Sequence, residues 1–472
     1  MKKVLILLLA LSMVFTFAAC REKPSDPTPS GTNPPTNAPT DAPTDAPTDA
    51  PTDAPTDAPV VTPPEPTPEE KAAAVKEEVL KLFSDDDSDT RRPPSDLLAV
   101  FENDFEIKNI TKKFADESTG INPELLSFPT SVAQKGGSCI TTYEDSTWYS
   151  FMHKDIAMFI TQETGSDPEL YYYLPAEEYS SSLFDIFGFD LSELFFGSKD
   201  DSSEDQGSEE NKTPELTADD LIVSEDFATC TISEDYLKKL FEYTILLYGY
   251  PEDDIDALLS TFEGNALYTV EDKKLEITLS ANSEASGDVT VAMLMQDHPT
   301  KGIALGLTVS GTTDTMGIKT PMEVTFAIND LKYDGDRPIS CSAEMKMSAS
   351  YEQSVMGQKM KVSSVAGLMA TINVENENAP AFEIVEYSET DTTLNGQKLP
   401  DYCSESKTEM GYDPTKTEKR FIYRQTADDI VAVEAFADEI LFGDAVKDVV
   451  IPDHILAFAE ANYEDCKKDL FE

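Results

Sequence analysis

The sequence predicts an α+β protein in which a long antiparallel β-meander is covered by helices and follows a disordered, proline-rich tether. Over residues 268–374, apolar residues alternate with polar or small ones, which is the period of a half-buried strand. The connections in this stretch are too short for crossover helices, so neighbouring strands must pair antiparallel. Residues 1–68 contain no pattern that could form a core. A half-barrel or curved sheet is therefore the expected architecture.

The N-terminal segment has the three parts of a secretory signal peptide. Lys2 and Lys3 precede an apolar run over residues 4–17, and the small pair Ala18-Ala19 comes before Cys20. The run of 14 residues is shorter than the roughly 20 that a membrane-spanning helix needs. Cleavage before Cys20 is expected, so that residues 1–19 are removed.

The stretch Phe17-Ala18-Ala19-Cys20 resembles the lipobox of bacterial lipoproteins, although Phe17 replaces the usual leucine. The resemblance implies that Cys20 becomes diacylated and is the first residue of the mature chain. Two acyl chains anchor a protein stably to a membrane. The implied protein is extracytoplasmic, lipid-anchored to the cell membrane and exposed at the bacterial cell surface.

Residues 20–68 are predicted to be an anchor and linker. The unit Thr-Asp-Ala-Pro repeats five times over residues 40–59. Proline at every fourth position removes backbone donors and favours polyproline II, while the regular aspartates repel one another and extend the chain. Thr beside Pro also permits O-glycosylation. A semi-rigid spacer that holds the body away from the membrane is expected.

The chain is strongly acidic, with 36 Lys and Arg residues against 90 Asp and Glu residues. Residues 1–68 contain 4 of the basic and 8 of the acidic residues, which leaves 32 and 82 in the body and a net charge of about −50. Such a field repels nucleic acid, because phosphate binding requires clustered Lys and Arg. The charge is either a solubility adaptation or a means of collecting divalent cations or basic partners.

The body divides into two predicted regions, residues 69–232 and 233–472. The first has a helix over residues 68–83, a short helix over 94–101, a hairpin over 139–161 and a strand over 170–174. A Phe-rich stretch at residues 183–196 is either a buried helix or a lid over an apolar pocket. It precedes an acidic loop, residues 198–215, that is expected to be disordered.

The second region opens with an αα-hairpin, whose first helix is capped by Ser233 and whose second ends before Gly264. The seven-stranded meander follows. Two helices, over residues 426–442 and 452–471, are predicted to close the chain and to cover the apolar face of the meander.

No catalytic or cofactor motif is present, and no cofactor is expected. Cys139 and His153 could form a nucleophile and base, against the simpler interpretation of a buried structural cysteine. Asp85, Asp87 and Asp89 have the spacing of a calcium loop with Asp96 at position 12, but arginines and prolines interrupt that loop. Paired carboxylates for glycoside chemistry cannot be selected among so many acids. Disulfide pairing stays open among five further cysteines: Cys139, Cys230, Cys341, Cys403 and Cys466.

Three functions are compatible with this layout. The first is a non-catalytic cell-surface lipoprotein that serves as an envelope interaction or binding module. In topology alone, over roughly residues 265–472, the layout also resembles the half-barrel lipoprotein carriers of the LolA and LppX type, which implies a carrier of a lipid or other apolar ligand on a concave sheet. The third is an extracellular enzyme of unrecognised type. An open apolar groove would favour the carrier, and a Cys-His contact or converging acids in a cleft would favour the enzyme.

Overall fold

The computed structural model shows a chain that is mostly antiparallel β-sheet with few helices, which confirms that part of the predicted fold class. The predicted signal peptide, Cys20, residues 20–64 of the tether and most of the acidic loop at 198–215 lie outside the described residues. The structure describes residues 65–83, 91–102, 104–114, 128–179, 182–189, 191, 214–247, 252–283, 287–315 and 318–471.

The helices begin where local signals predict them. Thr67 and Glu70 form a capping box at the start of the first helix, with Thr67 N donating to Glu70 Oε2 at 2.7 Å and Glu70 N donating to Thr67 Oγ1 at 3.2 Å. Ser233 caps the predicted αα-hairpin by accepting from Tyr236 N at 3.3 Å. No helix within the described ranges combines the length and apolar character needed to cross a bilayer. The α-helices are α1 (Pro68–Phe83), α2 (Ala99–Glu102), α3 (Leu183–Ile186), α4 (Glu234–Leu247), α5 (Glu252–Ser260) and α6 (Asp453–Phe471).

The predicted helix over residues 94–101 is a 3-10 turn, Pro94–Leu97, followed by the short α2. Nearly all the remaining regular structure is β. The strands are β1 (Phe105–Lys108), β2 (Thr111–Phe114), β3 (Ser131–Lys135), β4 (Ser138–Thr142), β5 (Ser146–His153), β6 (Ile156–Glu163), β7 (Glu169–Pro175), β8 (Leu221–Val223), β9 (Thr229–Ile232), β10 (Glu263–Thr269), β11 (Lys274–Ser283), β12 (Gly287–His298), β13 (Gly302–Thr315), β14 (Ile318–Asp334), β15 (Arg337–Val355), β16 (Gln358–Asn373), β17 (Ala381–Leu394), β18 (Gln397–Lys398), β19 (Ser404–Tyr412), β20 (Phe421–Ala427), β21 (Ile430–Ala437) and β22 (Glu439–Phe442).

The strands form two antiparallel sheets. The seven-stranded sheet has the order β22-β1-β3-β4-β5-β6-β7, and the larger sheet runs β2-β21-β20-β19-β17-β16-β15-β14-β13-β12-β11-β10-β9-β8, with β18 paired to β17. From β8 to β17 each strand of the larger sheet pairs with its neighbours in sequence. Strands β1 and β2 instead pair with β22 and β21, more than three hundred residues later. The N- and C-terminal parts of the body are therefore joined through both sheets.

The predicted seven-stranded meander is confirmed as β10 to β16. Its period-2 pattern places Ile277, Met293 and Leu307 directly opposite one another on one face, and these three side chains are at most 3% exposed. Helices α4 and α5 pack on β10 and β11, and α1 packs on β8 and β9. A single large core cluster extends from α1 through the meander to Phe442 of the seven-stranded sheet. The apolar face of the meander is buried in this core.

The helix predicted over residues 426–442 is wrong, because this segment forms the end of β20 and the strands β21 and β22. Asp428 and Asp429 both have positive φ, 49° and 63°, and connect Ala427 to its partner Ile430. A two-residue turn with this geometry is typical of a β-hairpin, and aspartate tolerates it. Beyond the turn, Val433, Ala435 and Ala437 are buried at every second position, so the period is that of a strand.

The last predicted helix is confirmed as α6, but its predicted position over the meander is wrong. Ile455, Ala459, Tyr463 and Cys466 pack instead on β5 and β6 of the seven-stranded sheet, in a second core cluster. The stripe of buried residues on α6 identifies the helix face that is covered. It does not predict which of the two sheets the helix packs on, because both sheets have an apolar face.

Candidate functional site

The weak calcium-loop candidate falls mostly outside the described residues. Asp85, Asp87 and Asp89 lie outside the described residues. Asp96, the predicted twelfth position, forms an ion pair with Arg92 at 3.2 Å. Within the described ranges, no group of three or more His, Cys, Asp or Glu side chains could hold a metal ion.

Cys139 and His153 are not brought together. Cys139 is buried in the main core beside the Thr141 hydroxyl, and burial raises the pKa of its thiol to about 11. The imidazole of His153 lies within hydrogen-bonding distance of the Glu460 carboxylate of α6, with Nε2 and Oε2 2.8 Å apart. A thiol with a raised pKa and no adjacent base is not an activated nucleophile. The five cysteines after Cys20 are all free thiols.

Two clefts beside strands of the larger sheet contain ion pairs. The first, of about 360 Å³, lies along β17, β19 and β20 and contains Asp413 and Lys416, 3.7 Å apart. The second, of about 320 Å³, contains the Arg92–Asp96 pair and the ion pair between Arg337 and Glu377. Neither cleft is lined by the apolar residues of β11, β12 or β13. Each cleft contains ion pairs, and neither is a groove on the apolar face of these three strands.

The described part of the Phe-rich stretch is core. Phe184 lies 4.8 Å from Phe101, centroid to centroid, and Phe187 lies 5.3 Å from Phe421. Phe184, Phe187 and Phe189 are all less than 9% exposed. Of the two interpretations of this stretch, the geometry of these residues is that of a buried helix and turn. Phe195 and Phe196 lie outside the described residues.

An aromatic surface lies along β5 to β7 on the face of the seven-stranded sheet opposite α6, and two of its rings are exposed. Its side chains form one connected chain of ring contacts, with centroid distances of 6.4 Å between Tyr143 and Trp148, 4.8 Å between Trp148 and Tyr171, and 5.7 Å between Tyr171 and Tyr172. Phe159 stacks on Tyr172 at 3.9 Å and contacts Tyr179 at 5.7 Å. We define the aromatic surface as Tyr143, Trp148, Phe159, Tyr171, Tyr172 and Tyr179.

The alternation of strand residues between two faces creates this surface. On β5 and β6, Tyr149, Phe151, Met158 and Ile160 face the core beneath α6. Their neighbours therefore face the other way, which places Trp148 opposite Thr161 and Phe159 opposite Tyr172. A register shift between Phe159 and Ile160 adds an extra residue to β7. Tyr171 and Tyr172 are consequently both exposed, by 63% and 42%.

Carboxylates surround the aromatic surface. Glu163 and Glu169 lie on the same face as Trp148, as their register partners show, and both are exposed. Glu177 and Glu178 are exposed in the turn before Tyr179. Residues 155–198 contain nine Asp and Glu residues and no Lys, Arg or His. Partial burial and the neighbouring Tyr171 raise the pKa of Tyr172, so its hydroxyl stays neutral at physiological pH.

This surface was not among the predicted sites, although the sequence contains a signal for it. Three consecutive tyrosines, Tyr171 to Tyr173, lie in a segment predicted to be a strand. Consecutive strand residues alternate between faces, so at least one of these rings must leave the core face. Tyr173 is the inward one, and its hydroxyl donates to Asp469 Oδ2 of α6 at 2.6 Å.

Comparison with known proteins adds no family. No family of known proteins and no curated protein matches the chain. Among solved structures, the chain is similar to OmpT, an outer membrane protein of Vibrio cholerae, in its in-vitro folded form and as a mutant lacking loop L8. The identity is 10 to 11%, the alignments cover 72% of this chain and 97 to 98% of the other, and the TM-score is 0.20. At this TM-score the similarity carries no argument about the chain.

Proposed function

We propose that this chain is a lipid-anchored, non-catalytic binding protein of the bacterial envelope, and that the aromatic surface is where it binds its partner. The observation that carries the proposal is the exposure of Tyr171 and Tyr172 within a connected aromatic cluster. Tyr and Trp are enriched at protein interfaces because they combine apolar area with a polar tip. Contiguous exposed apolar patches on otherwise polar proteins mark interaction sites.

The location rests on the N-terminal sequence. A signal peptide, a lipobox-like stretch before Cys20 and a charged polyproline spacer are the parts of a protein that leaves the cell and stays attached to its membrane. The spacer allows the aromatic surface to meet partners at some distance from the bilayer.

The carrier and the enzyme receive less support. A carrier needs an open apolar groove, whereas the apolar side chains of β11 to β13 are buried in the main core. An enzyme needs converging catalytic groups, whereas Cys139 and His153 have separate partners. We also propose that the larger sheet is curved as a half-barrel, because a twisted antiparallel sheet of this many strands curls instead of remaining flat.

The anchor is tested with Cys20→Ser in the producing bacterium. The parent chain is expected to incorporate an alkyne-labelled fatty acid and to sediment with membranes. The Cys20→Ser chain is expected to incorporate no label and to appear in the soluble extracytoplasmic fraction. Label retained on Cys20→Ser, or an unmodified thiol at position 20 of the exported parent, would contradict the anchor.

The binding surface is tested with Tyr171→Ala/Tyr172→Ala in the full chain carrying Cys20→Ser. Retention on an envelope fraction from a strain lacking the gene is expected to fall about tenfold, the loss typical of removing aromatic anchors from an interface. The matched control is Tyr402→Ala, because Tyr402 is 67% exposed but lies outside the aromatic surface. Equal retention of the two variants would rule out the aromatic surface as the binding site.

A further inference from the structure

We propose that the occupant of the aromatic surface is an extended, Lys- or Arg-bearing segment of another envelope protein. This inference rests on the proposed function, since it names the chemistry of the partner that the same surface binds. It follows from the charge around the surface, the arrangement of the rings and the character of the sheet edge.

The charges described around the aromatic surface are mainly negative. Glu163, Glu169, Glu177 and Glu178 are exposed, and among the described residues no ion pair to these four carboxylates is observed. In the turn beside Tyr143, Glu144 is paired with Lys112 at 3.2 Å. A cationic partner gains attraction from this field, whereas phosphate, anionic lipid and acidic protein are repelled.

The rings can bind cations through their faces. Lys and Arg bind over Trp and Tyr rings within about 6 Å of the centroid. The chain uses this contact elsewhere, with Lys154 Nζ 3.9 Å from the centroid of Tyr463 and Lys419 Nζ 4.8 Å from that of Phe436. Among the described residues, no Lys or Arg lies over Trp148, Tyr171 or Tyr172. Apart from the Tyr172 face that Phe159 covers, these rings have no cation of the described chain against them and can accept one from a partner.

The ring geometry disfavours a flat sugar chain. Trp148 and Tyr171 are inclined at 63°, and Tyr171 and Tyr172 at 70°, so these rings do not form a coplanar platform. Phe159 and Tyr172 are nearly parallel, at 12°, and each covers one face of the other. Inclined rings instead present separate faces and edges, to which side chains of a peptide can dock one at a time.

The edge of the sheet favours side-chain docking over strand addition. Strand β7 is the edge strand of the seven-stranded sheet, but the register shift at Phe159 and Ile160 interrupts its ladder and Pro175 ends it. Bulges and prolines protect edges from pairing with another strand. The partner is therefore expected to lie across the face of β5, β6 and β7, held by its Lys or Arg side chains.

Trp148 provides a direct measurement, because it is the single tryptophan of the chain and belongs to the aromatic surface. The probe is a synthetic peptide that alternates Lys and Ser, added to the full chain with Cys20→Ser. Titration with this peptide is expected to change Trp148 emission saturably. The affinity should fall strongly between about 0.15 and 1 M salt, because the Debye length falls from about 8 to 3 Å. Matched Glu-Ser and Gln-Ser peptides are expected to give no saturable change.

Variants separate the contribution of the aromatic rings from that of the surrounding carboxylates. Tyr171→Ala/Tyr172→Ala is expected to lower the affinity for the Lys peptide about tenfold. Tyr171→Phe/Tyr172→Phe should retain most of the affinity, because the ring faces remain. Glu163→Gln/Glu169→Gln is expected to lower the affinity for the Lys peptide severalfold. The matched control, Glu375→Gln/Glu389→Gln, removes the same charge from exposed positions elsewhere and should bind as the parent does. Unchanged thermal melting of each variant shows that the fold is retained.

The outcomes distinguish this inference from the proposed function. If the Lys peptide fails to bind, or binds without dependence on Glu163 and Glu169, the cationic partner is overturned. A neutral oligosaccharide that changes Trp148 emission would also overturn it, in favour of a glycan at the same surface. In either case, envelope retention that still depends on Tyr171 and Tyr172 leaves the proposed function intact. Retention that is independent of these tyrosines overturns both.

Discussion

At the scale of single residues, Gly367 and Tyr387 show how one side chain fills the space that another leaves. They face each other on β16 and β17. A Cβ atom at Gly367 would lie 2.6 Å from Cζ and from the hydroxyl oxygen of Tyr387, so the tyrosine ring covers the glycine. Glycine inside a strand often marks such a close approach. The effect of a substitution at either position is therefore expected to depend on the residue at the other.

We expect Gly367→Val to lower the free energy of unfolding by about 1 to 3 kcal/mol, because the new side chain displaces the Tyr387 ring. In a Tyr387→Ala background the same substitution should be neutral or stabilising, since valine is the better strand former once the space is free. Denaturant unfolding of the parent, both single variants and the double variant measures this difference. An equal penalty in both backgrounds would show that the ring is not the obstacle.

Residue-scale signals explain why one part of the fold could be predicted and another could not. The period-2 pattern around Ile277 and Met293 predicted the meander, because one buried face selects one register. At Asp428 and Asp429 the sequence carries a turn signal, but the apolar positions at 430, 433 and 440 also fit a helical stripe. The left-handed conformation of both aspartates decides in favour of the hairpin.

At the scale of elements, polar contacts at its margins hold α6 on the seven-stranded sheet. Tyr463 Oη donates to Asp155 Oδ1 at 2.6 Å, and Lys154 Nζ donates to Glu460 Oε1 at 3.0 Å. The hydrogen bond from Tyr463 is the main cause that lowers the pKa of Asp155. Hydrogen bonds from Lys154 and then His153 lower the pKa of Glu460. These contacts couple the position of α6 to the ionisation of two carboxylates.

We expect acid to loosen α6. Because both folded-state pKa values lie below the ordinary values of 3.8 and 4.5, the stabilisation is complete above those values and is lost as the pH falls through the folded-state pKa values. Cys466 of α6 is buried while the helix is packed on the sheet. It should therefore react with a pyridyl disulfide once acid loosens the helix, and peptide mass spectrometry measures this labelling.

The paired variant Asp155→Asn/Glu460→Gln should flatten this acid dependence, because the two carboxylates no longer titrate. Glu464→Gln is the control, because Glu464 lies on the exposed side of the same helix. Labelling of Cys466 that follows pH identically in the parent and in the paired variant would show that other groups control the helix.

The element scale also explains why the position of the candidate site escaped prediction. The sequence predicts a hairpin with arms at 139–152 and 155–161 and a further strand at 170–174. Strands β5, β6 and β7 confirm the hairpin turn and the further strand, but the first arm is divided into two paired strands, β4 and β5. Which face of β5 to β7 is covered depends on the position of α6. This helix packs on β5 and β6, which lie four and five strands away from β22, the strand that precedes α6 in the chain. The exposed face follows only once that helix is placed.

At the scale of the whole molecule, the net charge of about −50 on the body opposes compaction. Most observed ion pairs are exposed and contribute little individually, such as Lys81 with Glu77 at 3.0 Å. With 82 acids against 32 bases, most carboxylates have no cation to pair with. Stability therefore depends on the main core and on screening by dissolved ions.

We expect the melting temperature to rise by a few degrees between about 0.01 and 0.15 M ionic strength, because the Debye length falls from about 30 to 8 Å and self-repulsion weakens. Differential scanning calorimetry at pH 7 measures the shift. NaCl and KCl at equal ionic strength should act alike, since screening does not depend on the cation. A melting temperature that falls, or that differs between the two salts, would contradict a purely electrostatic origin.

The pairing of β1 with β22 and of β2 with β21 determines the order in which the body can be completed. Strands β8 to β17 find their partners next to them along the chain, so these ladders have low contact order and can form one hairpin at a time as the polypeptide emerges. Strands β1 and β2 emerge early but have to wait for the last hairpin. A chain released before residue 430 would leave both without these partners, so synthesis of the C-terminus is the step that closes the body.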